Sequence, residues 1–104
     1  MISAQSDDIA RKFVVESFEN HDPPGERQCN KHFEFATSDQ ALRCARRIID
    51  KSLLRTHNST RTSVEWYRYW CAYGESVVVP GTEFDSRCYA KMRIRMLCGP
   101  SVGT

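Results

Sequence analysis

The stretch from His32 to Leu54, HFEFATSDQALRCARRIIDKSLL, constrains the fold more tightly than any other part of the chain. It holds a strand, a helix start and an amphipathic helix in immediate succession. In His32–Ala36 apolar and polar residues alternate, which sets Phe33 and Phe35 on one side of an extended segment. Thr37 and Gln40 have the T-x-x-Q spacing of a capping box, in which the threonine hydroxyl accepts an orphan backbone N–H and the glutamine reaches back. Ala41, Leu42, Ala45, Ile48, Ile49, Ser52 and Leu53 then recur at helical spacing and predict one buried stripe. Arg43, Arg46, Arg47 and Lys51 are left on the outer face. A strand followed directly by a helix of this kind implies a helix folded back over a small sheet.

The flanking segments extend that expectation. Arg11–Glu19 is rich in β-branched and aromatic residues, with Phe13 and Val15 on one face and Val14, Glu16 and Phe18 on the other. It reads as a strand, with a short helix starting near Ser6 as the competitor. Asn20–Gln28, broken by Pro23-Pro24-Gly25, is a loop, and Lys31–Ala36 re-enters antiparallel to the first strand. Thr56–Arg61 is a polar connection. Thr62-x-x-Glu65 is a second capping box and opens a helix that runs through Tyr73 and stops at Gly74. Ser76–Val79 is a short extended run before Pro80-Gly81. In Asp85–Cys98, Met92–Met96 alternates like a strand, but Asp85 suits an N-cap, Gly99-Pro100 is a helix stop, and Cys88, Tyr89, Met92 and Met96 form a helical stripe. Helix is the better reading. The predicted class is α+β: a ββααα order, an antiparallel hairpin followed by three helices in a single layer on a small sheet. Residues 1–10 read as a polar tail, 11–99 as the domain and 100–104 as a second tail.

The residues Phe35-Ala36-Thr37 with Ala41, then Ala45, Ile48, Ile49, Asp50, Ser52 and Leu53, form a pattern that continues in Tyr73-Gly74-Glu75, Phe84-Asp85 and Tyr89-Ala90. This resembles a small uncharacterised bacterial domain family and covers roughly residues 12–98. The pattern departs after Glu75, where Ser76-Val77-Val78 replaces a more acidic, proline-containing stretch. The family has no assigned activity, so the resemblance implies a fold and a bacterial or phage origin and leaves function open.

Composition narrows the function classes. A chain of 104 residues with 40% hydrophobic and 27% charged residues is an ordinary single globular domain. No apolar run approaches the ~18 residues of a membrane span, and the polar start MISAQSDDIARK lacks a signal-peptide core, so a cytoplasmic location with no membrane contact is expected. The odd set of five cysteines, Cys29, Cys44, Cys71, Cys88 and Cys98, without any C-x-x-C, predicts reduced and mostly buried thiols. The net charge of +2 conceals an asymmetry: four cations against eight acids over residues 1–40 give −4, and eleven against five over residues 41–104 give +6. Such polarity within one domain suits a partner surface of one sign, although a solvated helix exterior accounts for it equally well.

Phosphate-binding glycine loops, a G-x-S-x-G elbow and H-E-x-x-H are all missing, which argues against an enzyme. Cys29-x-x-His32, with His21 nearby, is one metal-ligand pair where zinc needs two, so no metal or cofactor is expected. Cys44 has Arg43, Arg46 and Arg47 around it to lower its pKa, but it borders the apolar stripe, where inert thiols are commoner. No catalytic residue is assigned. Trp66, Tyr67, Tyr69, Trp70 and Tyr73 crowd one helix; Trp66, Trp70 and Tyr73 fit one core face, while Tyr67 and Tyr69 lie off it and suit a surface anchor. Arg43, Arg46, Arg47 and Lys51 form one basic group and Arg87, Lys91 and Arg95 a second, with Asp50 placed to neutralise Arg46 and Arg47. These residues together are the candidate binding set. The leading expectation is a non-catalytic interaction module that meets an acidic protein surface; a nucleic-acid-binding accessory protein is second and a small enzyme third.

Overall fold

The predicted stripe of the first helix is what the sheet is built against. In the computed structural model, which describes residues 12–21 and 28–98, the elements are β1 (Phe13–Glu19), β2 (Lys31–Phe35), α1 (Ser38–Thr56), α2 (Ser63–Tyr73), β3 (Glu75–Val78) and α3 (Ser86–Cys98). Ala41, Ala45, Ile48, Ile49, Ser52 and Leu53 are buried along α1, joined by Thr56 and with Leu42 half-buried. The Thr37 hydroxyl accepts the Gln40 N–H at 3.2 Å. At α2 both halves of the box form, with the Thr62 N–H donating to Glu65 at 2.8 Å and the Glu65 N–H donating to Thr62 at 3.2 Å.

The class is α+β, but the order is ββααβα. The extended run before Pro80 is strand β3, which pairs antiparallel with β1, so the hairpin becomes a three-stranded sheet of order β2-β1-β3. Register places Val15 opposite Phe33, and Ser17 opposite both Lys31 and Val77. Side chains alternate across a strand, so Val15, Ser17, Glu75 and Val77 face the helices and are buried, while Glu16, His32 and Val78 lie on the outer face. Helix α1 packs mainly on β1 and β3 and more sparsely on β2, α3 on α1, α2 and β3, and α2 on α1 and α3. The two tails and residues 22–27 of the first loop lie outside the described residues, as does the Gly99-Pro100 stop.

Two helical faces differ from the periodicity. On α2, Trp66 and Trp70 are buried, but Tyr73 is exposed and Tyr67 and Cys71 pack against the core. The second neighbour of α2 is α3, which approaches on the Tyr67 flank. On α3 the buried stripe is Ser86, Ala90 and Ile94, and Met92 and Met96 are exposed. That face is set by Ser86, whose hydroxyl accepts the Val77 N–H at 2.7 Å and donates to the Val77 carbonyl at 2.6 Å. The segment is nonetheless a helix, started by the Asp85 carboxylate, which accepts the Cys88 N–H at 2.9 Å.

Buried side-chain polar groups are paired throughout the described residues. The Ser52 hydroxyl accepts the Trp70 indole N–H at 3.0 Å and the Glu75 backbone N–H at 2.8 Å. Gly74 lies between them because a Cβ there would overlap the Trp70 indole. Burial along α1 implies a sharp contrast between adjacent faces. Replacing the fully buried Ile49 with Ala should cost about 2–5 kcal/mol. Leu54→Ala, at a position 69% exposed, should stay within about 0.5 kcal/mol, both read from urea denaturation.

Candidate functional site

Because α1 packs mainly on β1 and β3 and only sparsely on β2, part of the helix-facing side of β2 is left open. Between them runs a groove of about 490 Å³. Phe33 and Phe35 form its apolar floor; Arg43, Arg47 and Lys51, one turn apart on α1, line the facing wall with Cys44 and Ile48. Gln40, which caps nothing, and Lys31 and Glu75 complete it. Phe33 is 42% exposed, a large apolar surface for a strand residue on the core side of a sheet.

The groove is electropositive. Lys31 is neutralised by Glu75 at 2.7 Å, and the exposed Arg43 reaches Asp39 only at 3.8 Å. Arg47 and Lys51 form no ion pair among the described residues. The anticipated neutralisation by Asp50 does not occur. Its carboxylate turns to α3 instead, accepting from the Tyr89 hydroxyl at 3.0 Å and from Arg93 Nε at 3.0 Å. Helix periodicity could not foresee this, because Asp50 lies on the flank of α1 that meets α3.

The nine candidate residues therefore do not form one surface. Arg43, Arg47 and Lys51 share the groove. Arg46 is half-buried on the same helix and lies near Tyr89. Arg87, Lys91 and Arg95 are exposed along α3, with the Lys91 ammonium 5.0 Å from the Tyr67 ring centre. Tyr69 is elsewhere on α2, sandwiched by Arg61 at 3.7 Å and Tyr73 at 4.8 Å. The sequence reading missed Lys31, Phe33, Phe35 and Gln40 as site residues. The Phe33/Phe35 alternation was visible, but nothing in it reveals that the helix covers β2 only sparsely and leaves Phe33 exposed.

None of the five cysteines is disulfide-bonded, and none is fully buried: Cys29 and Cys88 are exposed and the others half-buried. Burial pushes the Cys44 thiol above its ordinary pKa, with Arg47 offsetting part of the rise, so the expected activation by arginine does not prevail. On the opposite face of the sheet, hydrogen bonds that the His32 ring donates to Glu16 and then Glu34 hold its pKa above the ordinary value. His21 is separate from Cys29 and His32, with its ring 3.9 Å from Glu19.

No protein-family model matches the chain, and comparison with characterised proteins and with solved structures gives no match. Among the described residues no helix is long and apolar enough to cross a membrane.

Glu75 closes one end of the groove and carries a testable pH dependence. Burial opposes its ionisation, but donors from Lys31, Ser17 and Asn30 outweigh that and hold its pKa below the ordinary 4.5. A carboxylate with a folded pKa below its unfolded one stabilises the fold fully above the unfolded value. That contribution is lost as pH falls through the folded one. Glu75→Gln should therefore cost about 1–3 kcal/mol at neutral pH. It should also flatten the loss of stability below pH 4.5, measured as urea midpoints across an acid series.

Proposed function

We propose that the protein is a non-catalytic interaction module that takes an acidic, extended segment of a protein partner as a fourth strand on β2. The observation that carries this reading is the difference between the two sheet edges. The outer edge of β3 is occupied at Val77, where the Ser86 hydroxyl bonds both backbone groups. Beyond β2 no strand pairs among the described residues. An unpaired edge offers a row of backbone donors and acceptors, the basis of recognition by strand addition.

The groove explains the preference for acidic sequence. An added strand lies about 4.8 Å from its neighbour, which brings its helix-side residues over Phe33 and Phe35 and beneath Arg43, Arg47 and Lys51. Apolar contact with the two rings supplies affinity, and carboxylates opposite the cations supply register and a fast association rate. A second copy of the chain suits the edge poorly, because pairing β2 with β2 would bring two basic grooves together. Nucleic acid fits less well than peptide: the α3 cations lie apart from the groove, and a phosphate backbone makes no use of a half-buried apolar floor.

The test uses a fluorescent peptide alternating glutamate and leucine, the same peptide with lysine for glutamate, and labelled single- and double-stranded DNA. At physiological salt the glutamate peptide should bind, with new amide-exchange protection in Lys31–Phe35. Replacing Arg43 and Arg47 together with Ala should weaken it roughly tenfold, about 1.4 kcal/mol. Equal binding of the lysine peptide, or DNA bound more tightly than the glutamate peptide with a steep salt dependence, overturns the reading.

A further inference from the structure

On the outer face of the sheet, opposite the groove, Glu16, Cys29 and His32 bring one donor atom each to within 4.8 Å of one another. We propose that these three side chains form a zinc site that ties β1 to the start of β2. Glu16 and His32 are register partners on adjacent strands, so the fold itself fixes their proximity, and Cys29 lies just before β2. The Cys29-x-x-His32 pair lacked a second half in the sequence because the third donor comes from the neighbouring strand rather than from a nearby motif.

The donor set matches zinc. Thiolate, imidazole and carboxylate are its ordinary ligands, and three protein donors leave a fourth position for water. Zinc–ligand bonds of about 2.0–2.3 Å place tetrahedral donors roughly 3.3–3.8 Å apart. The His32 Nδ1 to Glu16 Oε2 distance is already 3.1 Å. Cys29 Sγ now points at the Lys31 carbonyl, 2.9 Å away, and a rotation of this exposed side chain brings it in.

A second observation supports the assignment. Histidines that bind metals almost always hand their other ring N–H to a carboxylate, a backbone carbonyl or water, which fixes tautomer and orientation. His32 Nε2 is 3.4 Å from Glu34 Oε2, and Glu34 is itself held by Lys12 at 3.3 Å. Nδ1 is thereby left for the metal. The charges also close: the Cys29 thiol gives its proton to solvent, and zinc is balanced by that thiolate and the Glu16 carboxylate. Glu34 stays paired with Lys12.

Cobalt(II) is the probe, followed optically under a non-thiol reductant, with zinc displacing it and thermal denaturation read in parallel. One cobalt per chain should bind at micromolar concentration, with a thiolate-to-cobalt charge-transfer band and tetrahedral d–d bands, and zinc should raise Tm. Cys29→Ser should abolish the charge-transfer band; Glu16→Gln and His32→Gln should each weaken binding at least tenfold. Glu34→Gln, through orientation alone, should cost roughly 10–100-fold, and Cys88→Ser should change nothing. Circular dichroism checks that each variant is folded. A band that survives Cys29→Ser, disappears in Cys88→Ser, or is indifferent to both Glu16→Gln and His32→Gln overturns the site, as does the absence of any thiolate band.

Discussion

The structure converges on Glu75. Its backbone N–H donates to Ser52 on α1. Its carboxylate accepts from Ser17 on β1 at 2.6 Å, from Asn30 at 2.8 Å and from Lys31 on β2 at 2.7 Å. Through Ser52 it is linked to the Trp70 indole on α2. One residue thus joins all three strands to two helices. A buried carboxylate is tolerated only when it is well hydrogen-bonded, and here three donors converge on one oxygen, Oε2. Removing any one donor leaves charge buried with fewer partners, so the network acts as a unit. It also specifies register. A slip of β3 by one residue would turn Glu75 outward and Ser76 inward, breaking every one of these bonds.

Much of this was legible in the sequence, but unevenly. Elements whose signal is local were readable: the α1 stripe, both threonine N-caps, the Gly74 stop and the β1–β2 pairing. Faces that depend on a third body were not. Tyr73 and Met96 fit their helical stripes by spacing, yet they are exposed because α3 approaches α2 on the Tyr67 flank and is oriented by Ser86. The strand character of Ser76–Val79 was visible, but a four-residue run does not announce its partner. Glu75 itself carried no signal of burial. The groove was half legible, since the cationic wall follows from helix periodicity and the exposure of Phe33 follows only from where α1 lies on the sheet.

The two edges of the sheet are treated differently by the same chain. At β3 a single hydroxyl satisfies a donor and an acceptor that would otherwise face outward, and Pro80 follows at once. Both devices blunt an edge against unwanted pairing. At β2 the blunting is only electrostatic. Lys31, His32 and Glu34 are charged or titratable, and Lys31 is held to Glu75, so neither backbone nor covering loop closes the strand among the described residues. Charge repels some partners and attracts others, whereas a capping hydroxyl excludes all of them. On the proposed reading, an edge guarded by charge would be selective rather than closed.

That selectivity follows from how the chain distributes its charge. The strands β1 and β2 come from the acidic part of the sequence, and on their outward face Glu16 and Glu34 flank His32, with Glu34 also paired to Lys12. The helices come from the basic part, and Arg43, Arg47 and Lys51 stand over the other face at β2. Carboxylates thus meet their cationic partners on the outer face of β2, whereas Arg47 and Lys51 form no ion pair among the described residues on the inner one. Two consequences follow from the same geometry. The proposed zinc would lie on the outer face beside His32, and the proposed partner's carboxylate on the inner face beside Arg47. With a Debye length of about 8 Å at physiological salt, the two fields are largely screened from each other through solvent. Because they share only the strand, what couples them is its position: a contact that fixes β2 from either side orders the residues presented on the other.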